Sequence, residues 1–214
     1  TTTDGGTLTQ GLTQDHLGNI GIGTTGPDTN LHIWKASAGS VSAASDAQLV
    51  VENSGVTAIN LLSPNTSHGQ IIFGDPDDND VGQFGYDHAT NSMYIKTNGS
   101  GTKVFLVDSA GRVGLNGTTP SDFNADADDL IVGSGSGDTG ITIHSGANVG
   151  NYGAIYFADG TTGSAEYRGI ISYEQNTEKM RFHTNTTEAL SLDSSQNATF
   201  AGTWIYGNRA EFIP

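Results

Sequence analysis

The sequence contains no cysteine, five prolines, and only eight lysines and arginines in 214 residues. The lack of cysteine excludes disulfides and thiolate metal sites, and it leaves the redox compartment unmarked. Eight cations against 23 acids give a net charge of −15. A phosphate backbone needs a basic surface, so this balance argues against nucleic acid and against anionic membrane surfaces. What it supplies is solubility and repulsion between particles. No apolar run approaches the ~18 residues of a membrane-spanning helix, so no membrane insertion is expected. The start, TTTDGG, carries no Met and no signal-peptide pattern, which suits a fragment or a processed product. Helical periodicity is also missing: no segment keeps a 3.6-residue apolar spacing for three turns. Residues 36–47 are small and polar and read as a loop.

What is present is glycine, at 30 residues, with much Thr, Ser and Asn. Charged residues make up 14%, well below the usual share of about 25%, and disorder of the charged kind is therefore not indicated. Short runs rich in β-branched and aromatic residues lie between Gly, Asn, Asp and Ser clusters. They predict strands at QLVVEN (48–53), TAINLLS (57–63), QIIFGD (70–75), SMYIKTN (92–98) and KVFLVD (103–108). A second set is predicted at GITIHS (140–145), GAIYFAD (153–159), YRGIISYE (167–174), KMRFHTN (179–185) and ALSLDS (189–194). The fold class expected is all-β, as tandem small antiparallel domains.

The two sets are copies. HGQIIFGDP (68–76) aligns with YGAIYFADG (152–160), 84 residues later. MYIKTN (93–98) aligns with MRFHTN (180–185), and VFLVDSAGRVGLNG (104–117) with ALSLDSSQNATFAG (189–202). A third copy of the last piece lies upstream, where DHLGNIGIGTTGP (15–27) matches DSAGRVGLNGTTP (108–120), the latter with Asn116 inserted. Internal repetition of this length describes whole small domains rather than solenoid turns. The expected organisation is an N-terminal segment with the first junction (1–33), a first β unit (34–109), a second β unit opening with the second junction (110–194), and a C-terminal strand tail (195–214).

Each junction reads as a hairpin whose three-residue turn ends in a left-handed residue, Gly18 or Gly111. The third copy has Gln196 there, which predicts different packing. On the outgoing strand Ile20 and Ile22, and likewise Val113 and Leu115, share one side, while Gly21 and Gly114 point to the other. A bare glycine face allows a close backbone approach. Within one chain that backbone is a neighbouring segment; in a symmetric fibre it is a neighbouring chain.

The string GNIGIGTTGP…LHI (Gly18–Pro27, Leu31–Ile33) resembles the repeated GN-hydrophobic-GIGTT-x-P-x-x-x-L-hydrophobic-hydrophobic element of bacteriophage tail fibres and related virion fibres, with His32 in one hydrophobic place. MYIKTNGSGTKVFLVDSAGRVGL (93–115) is similar to the strand and hairpin that precede such elements. NATFAGTWIYGNRAEFIP (197–214) resembles the strand-like tail that precedes a self-cleaving trimerisation chaperone. The resemblance covers most of the chain. It implies a homotrimer of intertwined β-rich chains that is extracellular on a virion. Its partners would be other tail or baseplate proteins and a host surface glycan or protein. It supplies no catalytic residues. A polysaccharide-degrading tailspike, a bacterial surface adhesin and a capsid head fibre stand as alternatives.

Residues of chemical interest are few. Asp122, Asn124, Asp126 and Asp128 match D-x-N-x-D, a pattern of hard oxygens suited to Ca²⁺, which takes six to eight oxygen ligands. Ala127 and Gly133 stand where an EF-hand loop needs Gly and Glu, so a solvated acidic turn is the competing reading. DPDDND (75–80) is a second acidic loop. The six histidines show no paired ligand spacing; in a fibre, His144 or His183 could hold a metal on the axis. Asp159, Glu166, Glu174 and Glu178 lie among tyrosines, but a glycosidase needs two carboxylates at a set separation, which sequence does not give. No nucleophile elbow or phosphate loop is present. The chain reads as a non-enzyme.

Overall fold

The computed structural model describes residues 11–99 and 101–202. Among these there is no α-helix, only two 3-10 turns, at Pro120–Asp122 and Gly163–Tyr167. The rest is strand and turn, so the chain is all-β. It divides into two compact units, the first ending at Asp129 and the second beginning at Leu130.

The first unit opens with a four-stranded sheet of β1 (Leu12–Gln14), β2 (Ile20–Ile22), β3 (Leu31–Trp34) and β4 (Leu49–Glu52), in that order. β1 and β2 form the expected hairpin, but β2–β3 and β3–β4 are parallel pairs. This corrects the antiparallel expectation for this region. The connections 23–30 and 35–48 carry the chain back to the same end of the sheet, as parallel pairing requires.

The unit continues with an antiparallel meander of β5 (His68–Phe73), β6 (Gly82–Asp87), β7 (Ser92–Lys96), β8 (Lys103–Val107) and β9 (Val113–Leu115). β10 (Leu130–Val132) begins the second unit. A second meander follows there: β11 (Tyr152–Phe157), β12 (Gly169–Glu174), β13 (Lys179–Thr184), β14 (Thr187–Leu192) and β15 (Ala198–Phe200). The two meanders match strand for strand. Each even carries its register shift at the same place, between Ile95 and Lys96 and between Phe182 and His183.

Two predicted strands are absent. Residues 57–63 and 140–145 run as coil, without a ladder partner among the described residues. β6, conversely, carries no strong strand signal, because Gly82 and Gly85 dilute it. Gly85 has a packing reason. The Tyr94 ring lies across it, and a Cβ there would come within 2.6 Å of the ring. The C-terminal tail past residue 202, including Trp204, lies outside the described residues.

Candidate functional site

Strand register places the apolar side chains in continuous rows. In the first meander Ile71, Phe84, Ile95, Phe105 and Leu115 stand opposite one another across all five strands. Beside them run Tyr86, Met93, Val107 and Val113. The second meander repeats both rows, as Ile155, Ile171, Phe182, Leu190 and Phe200, and as Tyr173, Met180, Leu192 and Ala198. Since side chains alternate across a strand, each pair of rows forms one face. The first sheet does the same, with Ile20, Leu31 and Leu49 in one row and Leu12, Ile22, Ile33 and Val51 in the next.

These faces are open. Ile71 is 51% and Ile155 50% exposed, and Leu12, Ile22, Ile33, Leu49, Phe84, Met93, Ile95 and Phe200 are exposed as well. The opposite faces hold the buried residues, and those are mostly polar. Among the described residues, Tyr94 and Leu106 are the only buried large hydrophobics, against His32, Asp87, Ser92, Ser172, Glu174 and Ser191 on the strands and Thr29 and Asp128 in loops. In the first meander Tyr94 accepts a hydrogen bond from Gln70 at 2.5 Å, and Lys96 and Lys103 approach its ring at 5.3 and 5.0 Å. In the second, Arg181 takes the equivalent place and reaches Glu174 at 2.5 Å and Glu188 at 3.3 Å. Soluble sheets usually bury the apolar face and wet the polar one. Here the order is reversed.

The junction residues fall into this pattern. Ile20, Ile22, Val113 and Leu115 lie on the open apolar faces, while Gly21 and Gly114 are buried on the opposite side. The backbone that approaches each glycine belongs to the same chain. A Cβ at Gly21 would meet the Thr24 carbonyl oxygen at 2.6 Å, and one at Gly114 would strike the Thr118 carbonyl. Thr24 and Thr118 are equivalent positions of the two G-T-T loops, so the glycines seat each loop on its own strand. The same backbone hydrogen bond closes both loops. Ile20 donates its N–H to the Asn30 carbonyl, and Val113 to that of Asp129.

The three hairpins are built around an aspartate. The Asp15 carboxylate accepts from the N–H groups of Leu17 and Asn19 and from the Asn19 amide, at 2.9–3.0 Å. Asp108 does so from Ala110 and Arg112, and Asp193 from Ser195 and Asn197. The left-handed residue is Gly18 (φ 89°), Gly111 (φ 84°) or Gln196 (φ 66°). The third turn thus keeps the same backbone without the glycine. The side-chain bond from Arg112 holds the Asp108 carboxyl below its usual range, and that from Asn197 does so for Asp193. At Asp15 burial pushes upward, but the bonds from Asn19 and Leu17 outweigh it and the shift is again downward.

The D-x-N-x-D residues do not converge. Asp122, Asn124 and Asp126 are exposed, and the Asn124 side chain accepts from the Asp126 N–H at 2.9 Å. Asp128 is buried and paired with Arg112. Asp75 likewise accepts from the N–H groups of Asp77 and Asp78, as an ordinary turn does. Glu174 faces Arg181 rather than a second carboxylate, and Asp159 faces Arg168. The Thr177 hydroxyl is foremost in holding the Glu174 carboxyl low.

Among the described residues, three potential ligand groups gather in one place, at Asp28, His32 and Glu52. His32 is 2% exposed on β3. Its Nε2 lies 3.0 Å from Glu52, and its Nδ1 accepts from the Asp28 N–H at 3.3 Å. Glu52 in turn accepts from the Ala38 N–H at 2.6 Å. With the Asp28 N–H directed at Nδ1, the ring nitrogen that faces Glu52 is assigned as the donor. Both ring nitrogens are engaged, so the cluster ties β3 to β4 and to the flanking loops. The sequence signal was His32 in a slot that otherwise holds a hydrophobic residue; its partner Glu52 lies too far along the chain to be inferred. A cleft of about 600 Å³ on the polar side of the first meander is lined by Ser92, Lys103, Asp108, Arg112 and Thr119 among others. Its cations are already paired, Lys103 with Asp87 and Arg112 with Asp108 and Asp128.

No protein-family model matches this chain, and no curated protein matches it.

Proposed function

We propose that the chain is a structural segment of a homotrimeric virion fibre, of the phage tail-fibre kind, that mediates host attachment by multivalent binding. The observation that carries this reading is the open apolar face repeated in all three sheets. A sheet hydrophobic on one face must bury that face against another layer.

Three copies is the number that the tail-fibre resemblance implies, and closed symmetry gives each chain the same environment. Repeated weak sites on three chains raise avidity by about 10²–10⁴ over a single site. Virion tail or baseplate proteins at one end, and a host glycan or protein along the fibre, complete the set of partners. The role is adhesive rather than catalytic. The test is binding to a panel of bacterial cells and surface glycans, comparing the native assembly with a Phe84→Asp/Phe182→Asp double variant. The expected result is a loss of apparent affinity on the order of 100-fold when assembly is broken. Equal binding by both, or binding to no member of the panel, contradicts the reading.

A further inference from the structure

Residues 57–63 and 140–145 have strand-like sequence, with Ile59, Leu61, Leu62, Ile141 and Ile143 between polar residues, yet neither is a strand. The backbone N–H groups of these segments have no backbone acceptor among the described residues. Their apolar side chains are open too: Leu62 is 86% and Ile141 71% exposed. The two segments occupy the same place in the two units. A Cβ built on Gly69 would lie 3.5 Å from the Leu61 carbonyl and 3.9 Å from the Ser63 hydroxyl. One built on Gly153 would lie 3.4 Å from the Ile143 carbonyl and 3.6 Å from the Ser145 hydroxyl. Each segment therefore lies beside the apolar face of its meander, next to an edge strand.

We infer that 57–63 and 140–145 are interlocking strands. Each takes its missing backbone partners from a second copy of this chain. The inference rests on the oligomeric reading above and specifies where the copies exchange hydrogen bonds. The occupant is a copy rather than a foreign protein, because the unfilled arrangement occurs twice per chain beside the same apolar rows. A repeating self-assembly fills both with one geometry, and contacts of unlike surfaces close into a ring when the rotation permits. The exchanged bonds come from main-chain groups, as in strand addition generally.

The test is amide hydrogen exchange on the native full-length chain, after its mass has been measured under the same conditions. The expected result is an oligomer in which 57–63 and 140–145 exchange on the order of 100-fold more slowly than free loop amides. An oligomer in which both segments exchange at loop rates overturns the inference while leaving the fibre reading intact. A monomer overturns both.

Discussion

At the scale of single residues, the three hairpins form an internal comparison. Gly111 has open space where a Cβ would stand, so Gly111→Ala costs only the left-handed conformation. The expected destabilisation is about 1–2 kcal/mol in denaturant unfolding. Gln196 already bears that strain at φ 66°. Gln196→Gly relieves it, offset by about 0.4–1 kcal/mol of added freedom in the unfolded chain, so a gain smaller than the Gly111→Ala loss is expected. The aspartates make the hairpins sensitive to acid. Asp15, Asp108 and Asp193 all have carboxyls held below the ordinary value. A depressed carboxyl contributes stability above its unfolded pKa, about 3.9, and that stability fades as pH falls toward the folded value. Melting temperature should therefore hold from neutral pH down to about 4 and drop below it, and Asp108→Asn should flatten that drop. An unchanged acid limb in the variant would show that the hairpin carboxylate is not linked to folding. Chelation is expected to leave the melting curve unchanged relative to millimolar calcium, because Asp128 is committed to Arg112; a lower melting point in chelator contradicts this.

At the scale of elements, the junction strands gain their glycines from their own loops. Gly114→Val places a branched side chain against the Thr118 carbonyl. Overpacking of this kind costs about 1–3 kcal/mol, and it should appear as lower stability of the chain itself rather than solely as weaker association. Unfolding of the variant at the parent midpoint would remove the close-approach account. Much at this scale was legible in the sequence. The repeats placed both meanders, and the three-residue turns ending in Gly18 and Gly111 placed two hairpins. The alternation in IGI and VGL put Ile20, Ile22, Val113 and Leu115 on one face and the glycines on the other. Three things were not legible, each for a physical reason. β6 is held by a tyrosine lying over Gly85, a tertiary contact that no local propensity reports. TAINLLS and GITIHS have the composition of strands, but a strand also needs a partner, and the described residues offer none. His32 and Glu52 meet only because β3 and β4 pair in parallel, which the hairpin signals did not foretell.

At the scale of the whole molecule, the distribution of polarity decides the account. The buried set is mainly polar, and the half-open faces carry Ile, Phe, Leu and Met in register from strand to strand. A chain with −15 net charge repels its copies at long range, so the association proposed above would have to come from these uncharged rows. Placing a charge in a row opposes burial directly, because an unpaired charge is costly to desolvate. Phe84→Asp with Phe182→Asp should therefore dissociate the assembly at concentrations where the parent holds together, as read by sedimentation velocity. The most direct measurement of the central claim is the native mass of the unmodified chain across the micromolar range. The account predicts a single species of three times 22.2 kDa that persists on dilution. A stable, folded monomer throughout that range would contradict it.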